Sequence, residues 1–258
     1  MTLSPDKFYK ARITLREDFS EDLLKIRVNP GGDFRFVAGQ YATVGVHGKG
    51  TLIERAYSIV SSPYEDEVEF FIELVPQGEL TPLLHKLRKG DELSFRKVAK
   101  GRFTLDLKSG RQNHLLLSTV TCIAPFVSYV RTLYQDWKKG AMPADLKLFV
   151  LQGASRAWEF GYQAELAKAA AEVPWLKYVT TVSRPWENTS WTGETGRVED
   201  IMRKYIDQWG LSGTNATAYL CGHPQMIENG AGILTRAGWD KRTLQTEAYF
   251  QPVKKTAS

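Results

Sequence analysis

From Gln112 onward the chain alternates short, almost wholly apolar runs with longer amphipathic ones, and this rhythm limits its fold more than any other feature. "HLLLSTV" reads as a buried strand, followed by a helical "PFVSYVRTLYQDWKKG" that stops at Gly140. "LKLFVLQGA", "LKYVTTVS" and "ATAYLCG" read as further strands. "EFGYQAELAKAAAEV", "VEDIMRKYIDQW" and "PQMIENGAGILTRAG" have the helical period. Apolar strands separated by helices imply βαβ units and a parallel sheet covered on both faces.

The residues before Gln112 follow a different rhythm. "FYKARITLRED", "LLKIRVNP", "FVAGQYATVGV", "RAYSIV", "VEFFIELV" and "DELSFRKV" are short strands divided by turns such as "NPGGD". Their spacing suits a small barrel, with one helix, "TPLLHKLRKG", between the last two. The expected architecture is two-domain: an N-terminal antiparallel β-barrel over residues 1–110, followed by an α/β parallel-sheet domain over 111–258. A length of 258 residues suits two such domains.

Composition narrows the class. A net charge of +5 helps to steer an acidic partner but falls short of a nucleic-acid-binding signature. Cys122 and Cys221 have no metal-ligand spacing and form no C-x-x-C pair, so two reduced thiols in a cytoplasmic protein are expected. The start, "MTLSPDKFYK", lacks an apolar stretch of the secretory kind, and Leu115 to Val130 is too interrupted by polar residues to span a membrane. The four histidines show no spacing that pairs one with a carboxylate, which leaves no hydrolytic triad to read.

Several short stretches carry chemistry. In "ERAYSIVSSP" strand alternation puts Arg55 and Tyr57 on one face, an arrangement suited to a ligand with an anionic group and a flat ring. In "GELTPLLHKLRKG" Thr81 is placed to cap a helix with Pro82 at its first position, and Gly78 lets backbone approach a phosphate; an ordinary capped connector is the plainer reading. "LLLSTVTCIAPFVSYV" is a strand, a polar turn and a helix start, where open α/β sheets bind ligands, yet it has no glycine of a dinucleotide fingerprint. Arg156, Arg184 and Arg197 end strands or loops beside small hydroxylated residues or glycine, as phosphate-reading arginines do. Cys221 and Gly222 in "LCGHPQM" end the last strand; the thiol either faces a reacting ring or fills core, and His223 is a candidate base.

In order, these pieces resemble the ferredoxin/flavodoxin–NADP reductase family of the bacterial type. The resemblance rests on R-A-Y-S at Arg55 to Ser58, V-P-Q-G-E-L-T at Val75 to Thr81 and S-T-V-T-C-I-A-P-F at Ser118 to Phe126. C-G-H-P-Q-M at Cys221 to Met226 and E-A-Y-F at Glu247 to Phe250 complete it, so that it spans about residues 10 to 250. It implies that the barrel binds FAD and the α/β domain binds NADP. Arg55 would then pair with the FAD pyrophosphate, Tyr57 pack along the isoalloxazine and Ser58 lie near the flavin N5, with Ala56 between them. Phe71, Ile72, Glu73, Leu74, Gly78, Glu79, Leu80 and Thr81 would line the rest of the FAD, and Thr121 would contact the flavin. Tyr249 would cover the ring's other face, where nicotinamide must lie, and Phe250 would approach the adenine.

For NADP the resemblance implies Val120, Ser155, Arg156, Ser183, Arg184, Arg197, Cys221, Gly222 and Met226, the arginines reading the 2′-phosphate. Ser58, Cys221, Glu247 and Tyr249 would attend the hydride step. The flavin does the chemistry and no covalent nucleophile is needed. The implied activity is electron transfer between NADP(H) and ferredoxin or flavodoxin, by a monomer that binds neither nucleic acid nor membrane. Lys86, Arg88, Lys89, Lys97, Lys100 and Arg102 are candidates for attracting an acidic carrier. The nearest rivals are a reductase component of an oxygenase and a free-flavin reductase. A subunit that keeps FAD without nicotinamide turnover is a further alternative, and a basic nucleic-acid-binding module a weaker one. Two departures stand out: relatives have T-G-T where this chain has Thr119-Val120-Thr121, and "QPVKKTAS" follows Phe250.

Overall fold

The computed structural model describes residues 7–48 and 50–249. The expectations for Phe250 and the tail after it lie outside the described residues. Those described form two compact units. One takes the chain up to Leu105 together with Ala124–Met142, and the other takes Asp106–Ile123 and the chain from Pro143 on. No helix among the described residues is long and apolar enough to cross a membrane.

The first unit is built on six antiparallel strands: β1 (Phe8–Asp18), β2 (Leu23–Asn29), β3 (Tyr41–Gly48), β4 (Thr51–Ser58), β5 (Val68–Glu73) and β6 (Glu92–Arg96). They pair in the order β4-β3-β6-β1-β2-β5 and curl as a half-barrel around Ile13, Ile26, Val44, Phe70 and Phe95. Alternation along the strands places these side chains on the concave face. A single-turn helix, α1 (Thr81–Leu84), plugs this core with Leu84 and the adjoining Leu80.

The helix expected to run to Gly90 therefore stops after one turn. The cause is Arg16, whose Nη1 donates to the carbonyls of His85 and Leu87 at 2.7 and 2.6 Å. Carbonyls satisfied by a guanidinium no longer need helical N–H partners. Helix α2 (Ala124–Lys138) is tied to this unit by Arg131, which pairs with Glu65 and Glu69, and by the Ser128 hydroxyl, which donates to the Ser61 carbonyl at 2.6 Å.

The second unit carries a parallel sheet of β7 (Asn113–Thr119), β8 (Lys147–Ala154), β9 (Leu176–Val182), β10 (Glu194–Thr195), β11 (Ala216–Gly222) and β12 (Leu244–Ala248). Their order is β10-β9-β8-β7-β11-β12. The chain steps outward from β7 through β8 to β9 and β10, then returns to place β11 on the other side of β7. This reversal between β7 and β11 is a topological switch point, outside whose strand ends open α/β sheets bind ligands. Helices α4 (Val198–Trp209) and α5 (Pro224–Arg236) pack on β7, β8 and β11 through Leu115, Leu151, Met202, Ile206 and Leu234. Helix α3 (Gln163–Glu172) lies against β9.

Candidate functional site

In the first unit, β4 pairs with β3 so that Arg55 stands opposite Val44 and Tyr57 opposite Ala42. Both partners belong to the core, so Arg55 and Tyr57 share the face expected from alternation. The Arg55 guanidinium is exposed and bonds the Glu54 carbonyl and the Glu79 carboxylate. An exposed arginine held by a two-oxygen anion is already placed for another such anion. Tyr57 packs edge-on to Phe70, and burial, slightly opposed by Arg55, pushes its phenol above the ordinary tyrosine range. Ser58 is buried and Ala56 exposed.

The turn after β5 is built differently from the sequence expectation. Thr81 is the first residue of α1 rather than its cap, and its hydroxyl accepts the Val75 N–H at 3.0 Å and donates to the Val75 carbonyl at 3.1 Å. Gly78 closes the same turn, and a Cβ there would stand 3.0 Å from the Val75 carbonyl oxygen and 3.2 Å from the Thr81 hydroxyl. One helical turn offers little of the dipole that a phosphate at a helix start needs. What remains is a tight turn that carries Glu79 to Arg55. Phe71 and Ile72 are buried, Phe71 against Phe19, while Glu73 is exposed.

In the second unit the switch point gathers residues that lie a hundred positions apart. Cys221 of β11 stands beside Ser118 of β7 on one side and Glu247 of β12 on the other. Its thiol is fully buried, and the Cys122 thiol and the Tyr249 side chain both act on its ionisation. Burial first, then Cys122, raises the Cys221 thiol above its ordinary value, so it is a neutral thiol. Cys122 was not singled out as a site residue; only the adjacency of β7 and β11 makes it one. Gly222 is demanded by packing, since a Cβ would fall 2.6 Å from the Thr119 Oγ1 and 2.5 Å from the Met226 Cε. Met226 is a core side chain. His223 caps α5, its Nδ1 accepting the Gln225 N–H at 3.2 Å, which is a structural duty rather than that of a base.

Val120 opens the turn after β7 with φ +42°, the left-handed region that favours glycine. Its side chain packs against Ala154, Phe160 and Val182. Backbone strain in a β-branched residue costs on the order of 1–3 kcal/mol, which these contacts offset. Val120→Ala loses the packing and keeps the strain, whereas Val120→Gly loses the packing and relieves it. The glycine variant is expected to melt at or above the alanine variant, the reverse of the usual order; thermal unfolding with alanine above glycine would refute this. Thr121 follows in the same turn and is buried.

At the carboxyl ends of β8 and β9 the expected arginines come together. Glu187 bridges two of them, one carboxylate oxygen on the Arg156 Nε and the other 3.5 Å from the Arg184 Nη1. A second carboxylate, Glu159, accepts the Ser155 N–H at 2.8 Å and the Arg156 N–H at 3.3 Å and pairs with the Arg156 guanidinium. The Ser183 N–H bonds the Ala154 carbonyl and the Arg184 N–H the Ser155 carbonyl, fixing these two strand ends side by side. Arg197 starts α4 from an exposed position, one residue after Gly196, whose N–H bonds the Val182 carbonyl. The two carboxylates were not anticipated. Glu187 stands in for an anion with two oxygens and shows that Arg156 and Arg184 are spaced to share one.

A half-barrel followed by a parallel sheet with this edge defines a class, and comparison with known proteins supplies it. The oxidoreductase FAD-binding domain model matches residues 10–105 and the oxidoreductase NAD-binding domain model matches residues 116–231. The chain is 29% identical over 246 residues to a ferredoxin–NADP reductase of Pseudomonas aeruginosa, covering 89% of this chain and 90% of that protein. It is 31% identical over 230 residues to the flavodoxin/ferredoxin–NADP reductase of Escherichia coli, covering 84% and 86%. The fold is that of a ferredoxin–NADP reductase from Neisseria gonorrhoeae solved with FAD and NADP, at TM-score 0.82 and 23% identity over 95% of this chain and 99% of that one. The chain belongs to the ferredoxin–NADP reductase family.

Proposed function

We propose that this protein is an FAD flavoprotein that moves electrons between NADP(H) and ferredoxin or flavodoxin. The single observation that carries the reading is the pair Arg156 and Arg184, spaced for one two-oxygen anion on the sheet edge that also holds Cys221, Glu247 and Tyr249. The names of the relatives supply the carriers.

FAD held by the first unit would supply the redox chemistry that links two-electron hydride transfer to one-electron carriers. The chain's residues bind and orient. Arg55 gives up Glu79 to hold the FAD pyrophosphate, and Tyr57, its phenol kept protonated by burial, presents its ring from the same strand face. The turn from Val75 to Thr81 and the strand end at Leu74 support the same ligand. Arg156, Arg184 and Arg197, with Ser155 and Ser183, take the 2′-phosphate of NADP. Cys221 remains a neutral thiol, so it adds no charge beside Tyr249 where the nicotinamide is received. Exposed Lys86, Arg88, Lys89, Lys100 and Arg102 favour an acidic carrier, chiefly through the association rate. The matching domain assignment is FAD on residues 1–110 and NADP on 111–258, except that α2 folds into the first unit, in a monomer of the cytoplasm.

A reductase component of an oxygenase is the second reading, favoured by 27% identity to the phenol hydroxylase P5 protein of Acinetobacter pittii over 94% of this chain and 65% of that one. Anaerobic titration with NADPH tests the first step shared by both, and the visible flavin absorbance is expected to bleach near stoichiometric addition. A yellow protein that NADPH leaves unchanged would overturn the nicotinamide site, and a colourless one that takes up no FAD would overturn the whole reading. Turnover with an oxidised acceptor then separates them: the first requires ferredoxin or flavodoxin to be reduced faster than an oxygenase.

A further inference from the structure

We propose that Glu187 is a specificity-determining residue that narrows the preference for NADPH, so that this enzyme also accepts NADH. The inference rests on the reading above, in which Arg156 and Arg184 take the 2′-phosphate.

The charges at this edge are nearly balanced. Two guanidiniums, those of Arg156 and Arg184, pair with two carboxylates, Glu159 and Glu187, and Arg197 starts α4 one residue after Gly196, which bonds the end of β9. Glu159 is fixed by two backbone N–H groups of its own turn. Glu187 occupies both arginines at once, one with each oxygen. A 2′-phosphate carries about −1.5 to −2 charges at neutral pH and must displace Glu187 to reach the same donors. Much of the attraction that would favour NADP(H) is therefore spent in breaking two ion pairs already made.

Without the 2′-phosphate the balance changes sign. A carboxylate beside the adenine-side ribose accepts hydrogen bonds from its hydroxyls, the device by which NAD-selective sites recognise their cofactor. Glu187 is placed to serve there while Arg156 keeps Glu159. Arg156, foremost by its hydrogen bond, holds the Glu187 carboxyl below its ordinary value, so the group is charged at neutral pH and available as an acceptor. The residual positive charge still favours NADPH, but by a modest margin.

The test is steady-state kcat/KM for NADPH and NADH with the FAD-loaded wild type, Glu187→Gln and Arg156→Gln. The expected wild-type preference for NADPH is within roughly a hundredfold, and Glu187→Gln widens it by about tenfold, with KM for NADPH falling, KM for NADH rising and both kcat values unchanged. Calorimetry with adenosine 2′-phosphate checks binding directly, and Glu187→Gln is expected to tighten it about fivefold to tenfold. A preference that stays the same or shrinks in Glu187→Gln overturns the inference. Arg156→Gln separates the two levels. If it lowers kcat/KM for NADPH selectively while Glu187→Gln has no effect, the inference alone falls. If neither variant changes the preference, the assignment of the arginines to the 2′-phosphate falls with it.

Discussion

Replacing Glu69 with alanine is expected to destabilise the FAD-loaded protein by about 3–5 kcal/mol. Glu69 is 1% exposed and uses both carboxylate oxygens, one on the Arg27 Nε at 2.8 Å and the other on the Arg131 Nη2 at 3.1 Å. Its backbone N–H bonds the Ser61 hydroxyl at 2.6 Å, and its carbonyl accepts the Val60 N–H. Removing the carboxylate takes a partner at 3.1 Å from Arg131, whose side chain is only 16% exposed, and one at 2.8 Å from Arg27. Breaking a buried ion pair by removing one partner costs more than the pair contributed. Because Arg131 lies on α2 and Glu69 on β5, the loss also removes one of the ties between that helix and the half-barrel. Urea unfolding checks the effect against Glu65→Ala, whose more exposed carboxylate is expected to be worth about 1 kcal/mol or less. Equal losses in the two variants would sink the argument.

Acid is expected to weaken the second unit through His114. The imidazole is fully buried on β7, opposite Thr217 of β11, with the Tyr219 ring at 5.8 Å. Among the described residues no group bonds either ring nitrogen. Burial, partly opposed by Asp106, lowers its pKa from 6.5 to about 4. The folded value lies below the unfolded one, so the unfolded chain binds the proton first. The stability is complete above about pH 6.5 and is lost as pH falls towards 4, about 2 kcal/mol of it between pH 7 and pH 5. His114→Leu keeps an apolar side chain of similar size and removes this titration. Denaturation at pH 7 and pH 5 should show a slope shallower by about that amount in the variant; parallel slopes would exclude His114 as the cause.

Much of the molecule is legible without coordinates. "VEDIMRKYIDQW" coincides with α4 because its apolar residues fall on the helical period, "ATAYLCG" with β11 because it is a short, mostly apolar run, and Gly210 and Gly222 end them. The short strands β10 and β12 are not legible, since "ET" and "LQTEA" carry no period and become strands only by pairing with β9 and β11. The end of α1 is not legible for a comparable reason. Nothing in "TPLLHKLRKG" announces that Arg16, some seventy residues earlier, takes the carbonyls at which the helix stops. Thr81 likewise reads as a cap because its spacing allows it, but the Val75 turn claims its hydroxyl.

The sequence by itself determined the order of strands and helices, the two-part architecture and the side chains offered at each strand end. Those depend on periodicity and turn chemistry, which act between neighbours along the chain. Only the tertiary structure decided which strand ends meet: that Cys122 joins Cys221, that Glu187 lies between Arg156 and Arg184, and that Val120 bends into a glycine's conformation. These contacts depend on how β7, β8, β9 and β11 are ordered in the sheet, and that order comes from burying a common core that no local pattern encodes.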